Sequence, residues 1–236
     1  GRCNEAQAAY WQPKPSEEFY VVADDPFELT NRIDDASQAA RVARLRAALR
    51  SEMLATRDTG FIPEGMFAKL AGDKTIYDYA QSDAYPLGKI IDLADRATDR
   101  NVAHLADLLT ALNDPHPVMR YWAVTGCLIL QGSIPEDQTA EVKKRLGERL
   151  HDESMDVRVV AAEAIGFLGE AEAALKSLAT VLVDGNAYEA LAAENSLDFL
   201  REAGLVSLPQ AQGLVRDLKF TEPANRIPRY LLELKP

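Results

Sequence analysis

An adjacent acidic pair, Asp24 and Asp25, has the residue types that metal binding or acid–base catalysis would need. The pair stands directly before Pro26, and aspartate at such a position is typical of a turn. In that setting the carboxylates accept hydrogen bonds from nearby backbone amides. We therefore interpret Asp24 and Asp25 as parts of a turn, with no catalytic or metal-binding role.

The histidines and cysteines also lack the spacing of a metal or disulfide site. No histidine has a second histidine or cysteine at ligand spacing, whereas a metal site needs several converging donors. The two cysteines are far apart and form no CxxC motif. These residues are His104, His116, His151, Cys3 and Cys127. The sequence predicts no catalytic residue, no metal site and no cofactor in this chain, and it places Cys127 in a helical core.

Arg120 and Arg158 are candidates for binding an anion, because a guanidinium group recognises sulfate and phosphate through its planar fork. A structural role is favoured, in which each arginine bonds an aspartate or a helix end of a neighbouring repeat. Tyr121 and Trp122 adjoin Arg120, and aromatic residues beside arginine are typical of binding hot spots. The candidate surface residues are Arg120, Tyr121, Trp122 and Arg158. The candidate aspartates are Asp114, Asp152 and Asp156.

The overall charge narrows the class of partner. The chain has 236 residues and a formal net charge of −11. Affinity for phosphates rests on clustered lysine and arginine, so this balance argues against a nucleic-acid surface or an anionic membrane. No apolar run approaches the length of a membrane span. The sequence therefore predicts a partner that is neither nucleic acid nor lipid.

Internal repetition is the strongest signal in the sequence. A shift of about 38 residues places Arg120 on Arg158 and Cys127 on Ile165, and a period of this size marks stacked helical units. Val157, Ala161, Ile165 and Leu168 are spaced as one stripe of a helix. Flanking helices are predicted over Leu87–Thr98 and Ser207–Lys219, with Ser207 as a cap. Each unit is thus an antiparallel helix pair.

The segment "DESMDVRVVAAEAIGFLGE" resembles the HEAT repeat, particularly its short bacterial form with a D-x-x-x-x-V-R-x-x-A-A-x-A-L-G-x-L-G pattern. The resemblance implies an all-α fold, an α–α superhelix of the HEAT-like or armadillo type. The predicted repeat domain covers 87–236. The part before it, 1–86, is predicted to contain a short strand or loop and a long helix from Asp34 to Thr59.

The segment "EEFYVVADDPFELTN", Glu17–Asn31, has a β-leaning run at Phe19–Val22 with no partner strand near it. It resembles the E-L-Y-D-L-x-x-D-P-x-E-x-x-N segment near the C-terminus of bacterial type I sulfatases, of the N-sulfoglucosamine sulfohydrolase and arylsulfatase kind. The resemblance implies that 1–86 is a remnant of the small C-terminal subdomain of such an enzyme. That family uses formylglycine, made within a C/S-x-P-x-R motif, together with calcium, and is usually exported. This sequence contains neither a recognisable C/S-x-P-x-R motif nor recognisable acidic ligands for calcium.

These resemblances lead to one functional hypothesis and one alternative. The first is a non-catalytic C-terminal part of a sulfatase-like hydrolase, in a periplasmic or extracellular protein, whose helical repeats pack beside a missing catalytic domain or hold another protein. The alternative is a stand-alone HEAT-repeat scaffold with no enzymatic link. The β-leaning run is expected either to fold back irregularly or to form a homodimer through Phe19, Tyr20, Val21 and Val22, since edge strands seek partners.

Overall fold

The computed structural model describes residues 2–12 and 14–235, so the predicted domain limits at Gly1 and Pro236 lie outside it. Within these residues the secondary structure consists of α-helices and short 3-10 turns, without a β-strand. The predicted all-α class is confirmed. The chain divides into two compact units, Gly1–Asp58 and Thr59–Pro236. The functional division between residues 86 and 87 stays a prediction.

The described helices are numbered α1 to α13 in chain order. The first unit contains α1 Glu5–Ala9 and α2 Ala39–Thr56. The second contains α3 Phe67–Ala71, α4 Ile76–Ala80, α5 Leu87–Thr98, α6 Leu105–Ala111, α7 Pro117–Leu130, α8 Glu136–Arg149, α9 Met155–Phe167, α10 Ala171–Asp184, α11 Ala187–Glu202, α12 Leu208–Val215 and α13 Arg226–Glu233. None of these helices has the length and apolar character needed to cross a bilayer.

In the first unit, the β-leaning run folds back irregularly and forms no strand. The side chain of Asn31 accepts a hydrogen bond from the Phe19 N–H at 2.9 Å and donates one to the Glu17 carbonyl at 3.3 Å. The Arg32 N–H donates to the Phe19 carbonyl at 2.7 Å. A side chain and a neighbouring amide thus satisfy the polar groups that a lone strand would leave unpaired. The expected irregular fold-back is what the structure has, and the homodimer stays a prediction.

The acidic turn that follows agrees with the prediction. The Asp25 carboxylate accepts hydrogen bonds from the Thr30 N–H at 2.8 Å and the Leu29 N–H at 3.1 Å. These two backbone bonds lower the pKa of Asp25 below its ordinary value. The carboxylate therefore organises its own turn, as an aspartate in this setting is expected to do.

The long helix predicted from Asp34 to Thr59 is present as α2, preceded by a 3-10 turn at Ala36–Gln38. Val42 is buried, whereas Leu45 and Leu49, which follow it at helical spacing, are 44 % and 61 % exposed. Arg46 forms an ion pair with Glu17, which ties the helix to the fold-back. The predicted helix is present, but these two leucines remain at the surface.

In the second unit, helices α5 to α11 form two rows. The helices α5, α7, α9 and α11, called here the second-helix row, pack side by side in chain order. The helices α6, α8 and α10 form the first-helix row, and each packs against the helix that follows it. Helix α9 also packs against α10, which joins one pair to the next. The predicted solenoid of antiparallel helix pairs is confirmed.

Glycine allows close helix contact at Gly126 on α7. A Cβ atom there would lie 2.7 Å from Leu108 Cδ2 and 3.1 Å from the backbone Cα of Ala97, closer than packed atoms tolerate. We expect Gly126→Ala to lower the free energy of unfolding by about 1–3 kcal/mol through overpacking. Urea unfolding measures this change.

The matched control is Gly147→Ala on α8, where no atom lies within 4 Å of the added carbon. There the substitution should raise the free energy of unfolding by about 0.5–1 kcal/mol, because alanine is the better helix former. Equal effects of the two substitutions would contradict the close contact at Gly126.

Candidate interaction surface

Arg120 is buried, so its predicted place at the surface is wrong. The side chain is 5 % exposed, and its Nε and Nη2 donate to the two carboxylate oxygens of Asp152 at 2.8 Å each. Its Nη1 donates to the carbonyls of Asp114 at 2.9 Å and Pro115 at 3.0 Å. These bonds place the guanidinium between one repeat and the next. Its donors are committed to the protein and cannot serve an external anion.

Arg158 bonds the turn of its own repeat. Its Nε donates to the backbone carbonyl of Asp152, while the Ser154 N–H donates to the Asp152 carboxylate at 3.0 Å. Asp152 therefore receives arginines from α7 and α9. The favoured structural role, a contact that links one repeat to the next, is confirmed for Arg120 and is wrong for Arg158, whose bond joins α8 and α9 of one helix pair.

Tyr121 and Trp122 are half-buried and pack edge to face, with ring centroids 5.7 Å apart. The Trp122 Nε1–H donates to the Phe61 carbonyl at 2.9 Å, and the two rings are 6.2 Å apart. Trp122 thus holds another part of the second unit, while Tyr121 faces the cleft described below. A role in binding stays a prediction for Tyr121, Trp122 and Arg158.

Trp122 holds a segment that we call the strap, residues 59–66, which packs against α9 and α11. The Asn186 side chain donates to the Gly65 carbonyl at 2.8 Å and also caps the start of α11. Gly65 lies against the Asp156 carboxylate, and an added Cβ would be 2.6 Å from its Oδ1. Only glycine allows the strap to approach α9 this closely.

A cleft of about 320 Å³ opens beside the strap, on the second-helix row. Helix α9 contributes Asp156 and Glu163 to its lining, α7 contributes Tyr121, and α11 contributes Tyr188 and Phe199. Tyr188 and Phe199 are exposed at the rim. No lysine or arginine belongs to the lining. The cleft therefore combines carboxyl groups with aromatic rings.

Burial destabilises the ionised form of the carboxyl groups in the cleft. Asp156 is 4 % exposed, and its Oδ2 has no hydrogen-bond partner. Burial, reinforced by the nearby Glu189, raises the pKa of Asp156 to about 7. Burial also raises the pKa of Glu163, although the Ser196 hydroxyl donates to its Oε2 at 2.6 Å. Both groups would gain from a cation placed between them.

A second buried acid, Glu194 on α11, was missed by sequence reasoning. It is completely buried, and neither of its carboxylate oxygens has a hydrogen-bond partner. Burial raises its pKa to about 8. The signal was available, since Glu194 lies among Ala190, Ala193 and Leu197 on an otherwise apolar helical stripe.

Two histidines, His116 and His104, contact neighbouring side chains. His116 Nε2 lies 2.7 Å from the Tyr79 hydroxyl, and burial lowers the pKa of His116. His104 Nε2 lies 2.9 Å from an Asp99 carboxylate oxygen. In the part of the chain that the structure describes, no three His, Cys, Asp or Glu side chains converge as a metal ion would require. The candidate surface is therefore the cleft on the second-helix row.

Comparison with known proteins agrees with this architecture. Residues 105–198, from the start of α6 into α11, match the family of HEAT repeats. Neither the curated proteins nor the solved structures contain a significant match to the chain. Over residues 105–198 the chain is thus similar to HEAT repeats, and its fold is an all-α solenoid of the HEAT-like type.

Proposed function

We propose that the helical repeats form a protein-interaction module and that the cleft beside the strap is its binding surface. Stacked helical repeats commonly present extended surfaces to other proteins. The observation that carries the proposal is the cleft, which is lined by exposed aromatic rings and by Asp156, a buried carboxyl group whose Oδ2 lacks a hydrogen-bond partner. Aromatic residues of this kind dominate the energetics of protein interfaces.

Photocrosslinking in the producing cell tests this proposal. We expect a benzoylphenylalanine substitution at Tyr188, on the cleft rim, to give one discrete protein adduct, and a further Phe199→Glu change to abolish it. The same probe at Lys176, exposed on α10 in the first-helix row, should give no adduct. Equal adducts at both positions, or none at Tyr188, would refute the assignment of the surface.

We infer further that the module belongs to a sulfatase-like hydrolase, beside a formylglycine- and calcium-dependent catalytic domain in a periplasmic or extracellular protein. The resemblance of Glu17–Asn31 to the C-terminal segment of type I sulfatases supports this parentage. The alternative is a stand-alone HEAT-repeat scaffold without an enzymatic link. A homodimer through Phe19–Val22 is a separate proposal about partners. A reading frame upstream that encodes a C/S-x-P-x-R motif would favour the sulfatase parent. The chain by itself should leave aryl sulfates intact, and their hydrolysis would contradict the proposal.

A further inference from the structure

We propose that the cleft recognises a basic segment of its partner and takes an arginine side chain between Asp156, Glu163 and the aromatic rings of Tyr121 and Tyr188. This inference rests on the proposed function, because it names the chemistry of the partner that the module would hold.

One oxygen of the Asp156 carboxylate is buried without a partner. Asp156 is almost fully buried, yet its Oδ2 has no hydrogen-bond partner among the described residues. An unsatisfied buried oxygen costs free energy, and a charged hydrogen bond from a guanidinium would offset this cost. Gly65 of the strap lies against this carboxylate and offers it no side-chain donor.

The cleft has a local excess of negative charge. Three acids line it and a fourth lies close to Asp156, and together they come from three different elements. Asp156 and Glu163 belong to α9, Glu189 to α11 and Glu64 to the strap. The cleft lining contains no cationic residue, and the whole chain has a net charge of −11. Such a field raises the encounter rate with a cationic partner.

The lining of the cleft suits an organic cation better than a metal ion. A metal would require several converging ligands, and the described residues contain no such group. Tyr121, Tyr188 and Phe199 instead line the cleft, and a guanidinium stacks favourably on aromatic rings. A cleft of about 320 Å³ is the size of pockets that hold small organic groups.

The pH dependence of binding distinguishes Asp156 from an ordinary exposed acid. The groups that face Asp156 are Glu189 from α11, Glu64 and Gly65 from the strap, and Tyr121 from α7. Since the pKa of Asp156 is about 7, the carboxylate is largely protonated at about pH 6 and ionised at about pH 8. Arginine keeps its charge throughout this range. Affinity should therefore rise by up to about tenfold from pH 6 to pH 8.

The test is fluorescence anisotropy of the full chain with labelled, end-blocked triarginine, and with triglutamate as the control peptide. We expect triarginine to bind, and Asp156→Asn to weaken its binding by about tenfold or more and to reduce its pH dependence, since only the raised pKa of Glu163 then remains in the site. Glu163→Gln provides a second variant if Asp156→Asn does not fold, as judged by circular dichroism. Glu172→Gln, on the exposed surface of α10, should change nothing.

The two experiments together distinguish a failure of the arginine site from a failure of the interaction module. The arginine site would be overturned if triarginine did not bind, or if its affinity for the parent chain did not depend on pH. It would also be overturned if the Asp156→Asn and Glu163→Gln variants bound triarginine as tightly as the parent chain does. If that happens while the crosslink at Tyr188 persists, the interaction module stands and only its partner's chemistry is wrong. Loss of both would remove the proposed function itself.

Discussion

Arg120→Ala should lower the free energy of unfolding by about 3 kcal/mol, the lower end of the cost typical of breaking a buried ion pair, because Arg149 Nη1 remains 3.5 Å from the Asp152 carboxylate. The variant removes both hydrogen bonds to the Asp152 carboxylate, which itself is almost inaccessible to solvent. It also leaves the carbonyls of Asp114 and Pro115 without this donor. Urea unfolding at neutral pH measures the loss.

A solvent-exposed ion pair provides the control. Arg229 and Glu233 lie one turn apart on α13 with exposed side chains, so Arg229→Ala should change stability by about 0.5 kcal/mol or less. A double variant, Arg120→Met with Asp152→Leu, should be more stable than either single variant because it removes both buried charges together. An Arg120→Ala cost as small as that of Arg229→Ala would show that the link between repeats contributes little.

Glu194→Gln should stabilise the protein at about pH 8 and have little effect at about pH 5. In the folded state the pKa of Glu194 is raised to about 8 from an ordinary 4.5, because the side chain is buried without a partner. The folded state therefore keeps a proton that the unfolded chain has released. Its contribution to stability is fully present below about pH 4.5 and declines as pH rises to about 8, by up to about 1.4 kcal/mol per pH unit.

Chemical denaturation across this pH range gives the difference between the two proteins. The raised pKa values of Asp156 and Glu163 act in the same direction and persist in the variant, so it retains a smaller slope. The lowered pKa of His116 acts oppositely, because it favours unfolding as pH falls below about 6.5. Glu172→Gln is the exposed control. Parallel stability curves for Glu194→Gln and the parent chain would exclude a buried, protonated Glu194.

The repeat array was predictable because its signal is periodic. Helix α5 has the bounds Leu87–Thr98 that its apolar spacing indicated, and Ser207 caps α12 through a reciprocal bond with Gln210. Arg120 and Arg158 recur because each bonds a backbone carbonyl in the turn before its own helix, and Arg120 alone also reaches Asp152 of the next repeat. Such patterns are visible in a sequence because each position faces the same environment in every unit.

The strap and the fold-back were not predictable for a different physical reason. The strap is held largely through the carbonyls of Phe61 and Gly65, which are groups that every residue carries. In the first unit, the β propensity of Phe19–Val22 was overridden, because the Asn31 side chain accepts from the Phe19 N–H and the Arg32 N–H donates to the Phe19 carbonyl. The candidate cleft could not be predicted from the sequence either, since it exists only where the strap meets α9 and α11.

The strap also has a consequence for biosynthesis. Its Gly65 carbonyl accepts a hydrogen bond from the side chain of Asn186, which follows 121 residues later in the chain. Repeat arrays otherwise assemble from neighbours and can begin folding as each pair leaves the ribosome. Here the strap cannot form its hydrogen bond to Asn186 until α11 has been synthesised. In nascent chains that have not reached α11, the surface of α9 around Asp156 will therefore remain uncovered.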